Sequence, residues 1–377
     1  MMTAMTPDRL DWLALSLLPG MGPTRWQRIL DLDGDPRLLL DASQVSGRGL
    51  RLPEPTREAL DAWWNGRRND RFYRRVFQVA AAVERLGIEL IDWAAPDYPA
   101  ALQAIHGPPP LLYLRGRREA LTTRQVAIVG SRNATREGLD NATRFAAELA
   151  RLGFAVTSGL ALGIDAAAHR GAVEAGGTTI AVLATGVDEI YPRQHSHLAA
   201  ALCEQGALVS EMPPGTPPRA PHFPRRNRII TGLSCGVLVV EASLRSGSLI
   251  SARHALEQGR DVFAVPGSIH NPQARGCNQL LRQGARLVES VQDIVEELPG
   301  WEAPAQPLGG VTLPSSSNGD LSPDEALVLG ATGFSPSSSD ELCERTGLNA
   351  ERLLQAVLML EMQGLLATVP GGYQRIS

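Results

Sequence analysis

The chain contains no lysine: all 36 of its basic residues are arginine. They are spread over every segment, as a GC-rich genome would leave them, so any phosphate site must be built from planar, bidentate guanidinium groups. Cysteine is scarce as well. Cys203, Cys235, Cys277 and Cys343 lie far apart and form no C-x-x-C pair, which argues against a disulfide framework or zinc site and fits a reducing compartment. Long hydrophobic runs are missing. The early apolar stretch Trp12–Leu18 is short and lacks a basic leader and a cleavage site, and no segment approaches the roughly 20 apolar residues that span a bilayer. These absences predict a cytoplasmic protein without a membrane partner. Aromatic residues make up only 5%, so an aromatic side chain in a basic segment stands out. The formal net charge of −4 argues against a uniformly basic nucleic-acid binder, but averages hide local fields, and the charge has to be followed along the chain.

What is present is a chain of 377 residues, enough for two or three domains. Residues 1–70 read as short helices. They are broken at Pro19–Arg25, whose Gly-x-Gly turn either packs two helices or, as in a helix-hairpin-helix, lets backbone N–H groups hold a DNA phosphate. This is an N-terminal helical, SAM-like domain. Residues 71–300 form an extended Rossmann-like domain. A helix over Arg71–Leu86 and edge strands at Ile88–Asp92 and Leu111–Leu114 precede an alternation of short apolar strands and amphipathic helices. The strands are expected at Val126–Val129, Ala155–Ser158, Thr179–Leu183, Leu208–Ser210, Val237–Val240 and Val262–Val265. Such a pattern predicts an α/β doubly wound parallel sheet covered on both faces. Residues 301–320 have linker composition. Residues 321–377 predict three helices and a β-hairpin, a winged helix, whose first helix carries an N-cap at Ser322 and proline at N1.

In a doubly wound sheet ligands bind at the C-terminal strand ends. The first such loop holds Gly130, Ser131 and Arg132. It lacks the glycines of a dinucleotide fingerprint, so no dinucleotide cofactor is expected. It is either an anion-binding set or a surface arginine after a tight turn. The second loop holds Ser158, Gly159 and Gly163, whose backbone N–H groups suit a phosphate at a helix start. Asp165 in that first turn fits a capping role, and His169 fits a structural one. The most informative segment is Arg219–Ile230. No acidic residue occurs between Glu211 and Glu241, while Arg219, Arg225, Arg226 and Arg228 cluster around Phe223. An aromatic platform among guanidinium groups is how single strands are held, stacking being worth roughly 1–3 kcal/mol per base. The same residues also describe a solvated basic loop with one phenylalanine in the core.

Seven segments in order, VAIVGSR (126–132), SGLALGIDAAAH (158–169), ATGVDEIYPRQH (184–195), HFPRRNRIITGLS (222–234), VVEASLRSGSLISA (239–252), GRDVFAVPG (259–267) and GCNQLL (276–281), closely resemble the DprA/Smf family of DNA-processing proteins. The resemblance covers about 125–290, and the helical start and terminal winged helix match the family's domain plan. It implies a protein that binds incoming single-stranded DNA, forms a homodimer through its Rossmann domain, and helps load RecA during natural transformation. Carried over, the DNA groove would use Arg132, Arg193, Phe223, Arg226, Asn227 and Arg228. Ala220 stands where the family often has lysine, with Arg219 adjacent. Dimerisation would use the segment after Asn278, notably Leu281 and Leu287, with Leu280 beside them.

The alternative is an enzyme. Nucleotide phosphoribohydrolases share this kind of domain but need a P-G-G-x-G-T-x-x-E run, and Val265–Asn271 lacks both the glycines and the acid. No catalytic residue, cofactor or metal is therefore expected. A winged-helix regulator is disfavoured because residues 321–377 carry seven acids against three arginines, a poor match to duplex DNA.

Overall fold

The computed structural model describes residues 5–47, 50–298, 321–333 and 336–376; the expected linker, 301–320, lies outside the described residues. Contacts divide the chain into two compact units, one made of the described residues up to 298 and one of those from 321 onwards.

The first unit begins with α1 (Pro7–Leu17), α2 (Pro23–Asp33), α3 (Ala42–Gly47), α4 (Glu54–Trp64) and α5 (Arg71–Leu86). Asp70 caps α5 by accepting from the N–H groups of Phe72 and Tyr73, and Gly87 ends it in the left-handed region. α5 is grouped with the sheet on sequence, but its Val76, Val79, Ala80 and Val83 share one core with Trp12, Leu15 and Leu39 of the preceding elements. A helix with one apolar stripe goes where that stripe is covered. The same core includes Leu90, Leu111 and Tyr113, so the helical module packs directly on the edge strands.

Next come β1 (Glu89–Asp92), α6 (Ala100–Gln103) and β2 (Leu111–Gly116). The repeat follows: β3 (Gln125–Val129), α7 (Arg136–Arg151), β4 (Ala155–Ser158), α8 (Ile164–Glu174), β5 (Thr179–Val182), α9 (Ser196–Gln205), β6 (Ala207–Ser210), α10 (His222–Leu233), β7 (Gly236–Val239), α11 (Ser248–Glu257), β8 (Asp261–Ala264), α12 (Arg275–Arg282), β9 (Arg286–Leu287) and α13 (Val291–Val295). The sheet has nine strands in the order β1-β2-β6-β5-β4-β3-β7-β8-β9. The stretch from β6 to β9 is parallel, and β1 and β2 are antiparallel additions. Alternate residues of β3 enter two cores: Ala127 and Val129 face Ile229, Ile230 and Ala252, while Val126 and Ile128 face Ala142, Phe145 and Ala167. Burial on both faces is why these strands read as continuous apolar runs. The strand order reverses between β3 and β7, and a crevice opens at their C-terminal ends.

The second unit contains α14 (Pro323–Ala331), α15 (Ser339–Thr346), α16 (Ala350–Met362) and the hairpin β10 (Leu366–Val369) and β11 (Gly372–Arg375), the expected winged helix. Ser322 with Glu325 and Ser338 with Glu341 form capping boxes, and Asn349 caps α16. Val328, Leu342, Leu353 and Leu360 fill its core.

Candidate nucleic-acid interface

At the strand-order reversal lies an open cleft of about 760 Å³, walled by the β3–α7 loop, the start of α10 and the β7–α11 loop. Its polar walls carry Arg132, Arg226 and Arg245, together with Asn133, Asn227 and several serines; Asp165 is the one carboxylate in the lining.

The β3–α7 loop is held by Glu241 at the end of β7. The N–H of Ser131 donates to the Glu241 carbonyl (2.7 Å), and Thr135 donates through its N–H (2.9 Å) and hydroxyl (2.6 Å) to the two carboxylate oxygens. Thr135 in turn caps α7 by accepting from the Gly138 N–H (3.0 Å). A Cβ on Gly130 would come within 2.5 Å of Ile164 and 2.9 Å of the Glu241 carbonyl, so only glycine lets the loop sit this low. Arg132 is left exposed at its tip.

The basic segment is a helix and not a loop. α10 starts at His222, and its period sorts the arginines onto two sides. Arg225 and Arg228 turn away from the cleft and share Glu211. Arg225 Nε lies 2.9 Å from one carboxylate oxygen and Arg228 Nη2 lies 2.6 Å from the other, while Arg228 also donates to the Gly107 carbonyl (2.8 Å). These two are internal ties, a correction to their expected place in the groove. Phe223 and Arg226, three residues apart, face the cleft with Asn227. The exposed guanidinium of Arg132 lies over the Phe223 ring at 5.3 Å, and Tyr191 sits 5.8 Å from the same ring. Phe223 is half-buried and part of the cleft lining. Tyr191 and Arg245 were not singled out from the sequence, although both lie in motifs that carry the family resemblance, Tyr191 close to Arg193; for Tyr191, an aromatic residue next to a proline was the available signal.

Arg226 is the unusual group. It is only 4% exposed, its Nε has no hydrogen-bond partner among the described residues, and it makes no ion pair there. Burial pulls its pKa down to about 10, with Arg132 repelling it and Asp165 opposing the shift. A desolvated, still charged guanidinium that Asp165 attracts without a hydrogen bond is costly, and an anion reaching it from the cleft would relieve that cost.

In the second loop three N–H groups, those of Gly159, Ala161 and Ile164, are already bonded within the protein. Asp165 accepts from Gly159 (3.1 Å) and Ala161 (3.4 Å), and the Ile164 N–H goes to the Ser131 carbonyl (3.2 Å). The expected phosphate cradle is filled by its own carboxylate, whose pKa burial raises against the pull of Arg226. Ser158 is fully buried and donates to the Ile128 carbonyl (2.6 Å). Gly163, at φ +74°, has no room for a Cβ, which would lie 2.2 Å from the Ser131 carbonyl. These residues are scaffold beneath the cleft. Arg193 and Arg219 are exposed but outside its lining, whereas Ala220 is part of it.

His169 is buried, its Nδ1 2.7 Å from Thr179 Oγ1. That hydroxyl donates to the Val156 carbonyl (2.7 Å), so it must accept from the imidazole and the proton sits on Nδ1. Burial drives the His169 pKa to about 3, and a neutral structural histidine results. Cys277 is also inert, burial pushing its thiol up to about 12. Among the described residues no group of three His, Cys, Asp or Glu side chains could hold a metal ion, and no helix is long and apolar enough to cross a membrane.

For the expected dimer face, the three leucines part company. Leu280 lies in the core and Leu281 packs partly against it, while Leu287 is 53% exposed on β9, the edge strand. Asn278 is tied to Gly267, donating to its carbonyl (2.9 Å).

Comparison with known proteins places this geometry in context. The profile of the DNA recombination-mediator protein A family matches residues 89–299, and that of the DprA winged helix domain matches 313–372. Protein Smf of Escherichia coli is 46% identical over 303 residues, 78% of this chain and 79% of that protein. DNA processing protein DprA of Bacillus subtilis is 44% identical over 66% of this chain and 84% of its own. The crystal structure of DNA processing protein A from Streptococcus pneumoniae superposes with a TM-score of 0.65 at 35% identity, covering 78% of this chain and 98% of the other. A structure of the Helicobacter pylori protein, described for its single-stranded DNA binding mode, gives a TM-score of 0.51 at 30% identity over 55% of this chain and 94% of that one.

Proposed function

The chain belongs to the DprA/Smf family of DNA recombination-mediator proteins, and from that premise we propose that it binds single-stranded DNA in the cleft at the strand-order reversal and hands it to RecA. It works as a homodimer and without catalysis. The observation that carries the reading is Arg226: a buried guanidinium with no hydrogen bond or ion pair among the described residues, balanced only through space by Asp165, opening onto a cleft beside the Phe223 ring and the exposed Arg132. Phosphate neutralises the cations and a base stacks on the ring, neither contact reading sequence. The dimer is assigned to the β9 edge, where an unpaired strand and Leu287 face outward.

Fluorescence anisotropy with an oligonucleotide and its duplex tests the binding. Tighter, salt-sensitive binding of the single strand is expected; equal affinity, or none, would overturn the cleft assignment. The handover is tested by the rate of RecA filament assembly on strands coated with single-strand-binding protein, which should rise when the protein is added. Incubation with nucleoside monophosphates should release no free base, and its release would revive the hydrolase alternative.

A further inference from the structure

The helical module carries a second basic groove that the cleft does not account for. Residues Arg67–Gln78 hold five arginines against one aspartate in a chain of net charge −4. α5 sets Arg71, Arg74 and Arg75 along one wall of a groove of about 730 Å³; the opposite wall is the end of α1 and the start of α4, with Leu17, Pro19 and Glu58. The three arginines are exposed. None forms an ion pair among the described residues, and Arg74 reaches only the Asp70 carbonyl, at 3.4 Å. Two carboxylates lie on the walls, and one, Asp70, is committed to capping α5 at 2.6 Å from the Phe72 N–H. Phe72 also lines the groove and is half-buried. Pro19, in the turn between α1 and α2, is pinned by the Thr56 hydroxyl donating to its carbonyl (2.6 Å), which fixes the far wall.

Unpaired guanidinium groups beside a partly exposed phenylalanine repeat, on separate elements, the chemistry of the first cleft, and both grooves belong to the same compact unit. Like charges at this density repel one another and are relieved by a polyanion. We propose that this groove is a second contact for the phosphodiester backbone, engaged by single-stranded DNA too long to be held in the first cleft alone. The proposal rests on single-strand binding in that cleft and extends it.

The test is a homothymidine length series titrated against the full chain and against the variant Arg71→Ala/Arg74→Ala/Arg75→Ala. The shortest strands should bind both proteins equally. The longest should bind the variant more weakly, with a slope of log affinity against log salt smaller by about 2, at roughly 0.7 per lost single-strand phosphate contact. An unchanged length dependence would overturn the second contact, as would a loss confined to duplex DNA or an equal loss for the shortest strands. The triple Arg→Lys variant keeps the charge and should retain most of the long-strand affinity; if it falls as far as the alanine variant, phosphate attraction is not what the groove supplies. Failure of the wild type to bind any single strand would instead overturn the reading of the first cleft.

Discussion

The guanidinium of Arg226 occupies the space that a side chain on residue 159 would need: a Cβ built on Gly159 would lie 1.4 Å from Arg226 Nη1. Gly159 does not have a positive φ, so its glycine is required by contact and not by a left-handed backbone. Gly159→Ala should therefore fold and melt near the wild type while pushing the guanidinium out of place. Single-strand affinity should fall about as far as in Arg226→Ala. Normal binding by Gly159→Ala would show that the present position of Arg226 is not needed for DNA.

Arg132→Ala and Phe223→Ala should fail for different reasons. Loss of a phosphate contact lowers the salt slope by roughly 0.7; loss of a stacked base costs about 1–3 kcal/mol and leaves the slope nearly unchanged. Because Arg132 lies 5.3 Å over the Phe223 ring, the double variant should lose less than the sum of the two, by the ~0.5–1 kcal/mol typical of an exposed cation–π pair. Anisotropy over a salt series measures all three. An early-melting Phe223→Ala whose binding falls in proportion would place that ring in the core.

Glu241 lies beneath the cleft and outside its lining, yet it anchors both polar groups of Thr135. Glu241→Ala leaves those donors without their acceptor, at a cost of about 1–3 kcal/mol, and loosens the loop that carries Arg132. Denaturant unfolding should show the stability loss, and single-strand affinity should drop with it. Full affinity in the variant would mean that the loop needs no anchor.

His169 is held neutral in the fold, with a pKa of about 3 against 6.5 for the free side chain. Below pH 6.5 the unfolded chain takes up a proton that the folded chain refuses. The stability this group contributes is complete above 6.5 and is lost as pH falls from 6.5 towards 3. His169→Gln should be less stable at neutral pH but lose less between pH 7 and pH 4.5. Urea midpoints at the two pH values decide it, and parallel losses in both proteins would assign the acid sensitivity elsewhere.

The dimer should depend on Leu287 and not on Leu280. Leu287→Arg places a charge on the exposed β9 edge and should give a folded monomer by light scattering. Leu280→Arg buries an unpaired charge in the main core and should unfold the protein. A Leu287→Arg protein that stays dimeric would move the contact away from this edge.

Much of the fold was legible because its signals are local. Val126–Val129 is apolar throughout, since both faces of the sheet are covered, and the caps Ser322 and Asn349 act within three residues of their own positions. Phe223 and Arg226 could be named for the same reason, since aromatic and basic residues crowded into a chain short of aromatics need no partner to be noticed, whereas Arg132, at the end of a strand, was placed beside them by the family resemblance. The division of labour among the arginines was not legible. Arg225, Arg226 and Arg228 are near neighbours in the chain, and which of them faces DNA depends on α10 being a helix and on Glu211, fourteen residues from the first of them, reaching one side of it. Nor could sequence show that Asp165 takes up two N–H groups of its own loop, or that α5 closes a core with α1. Local composition determined which residues are available for chemistry; long-range packing decided which charges are already satisfied, and only an unsatisfied charge such as Arg226 is left for a ligand.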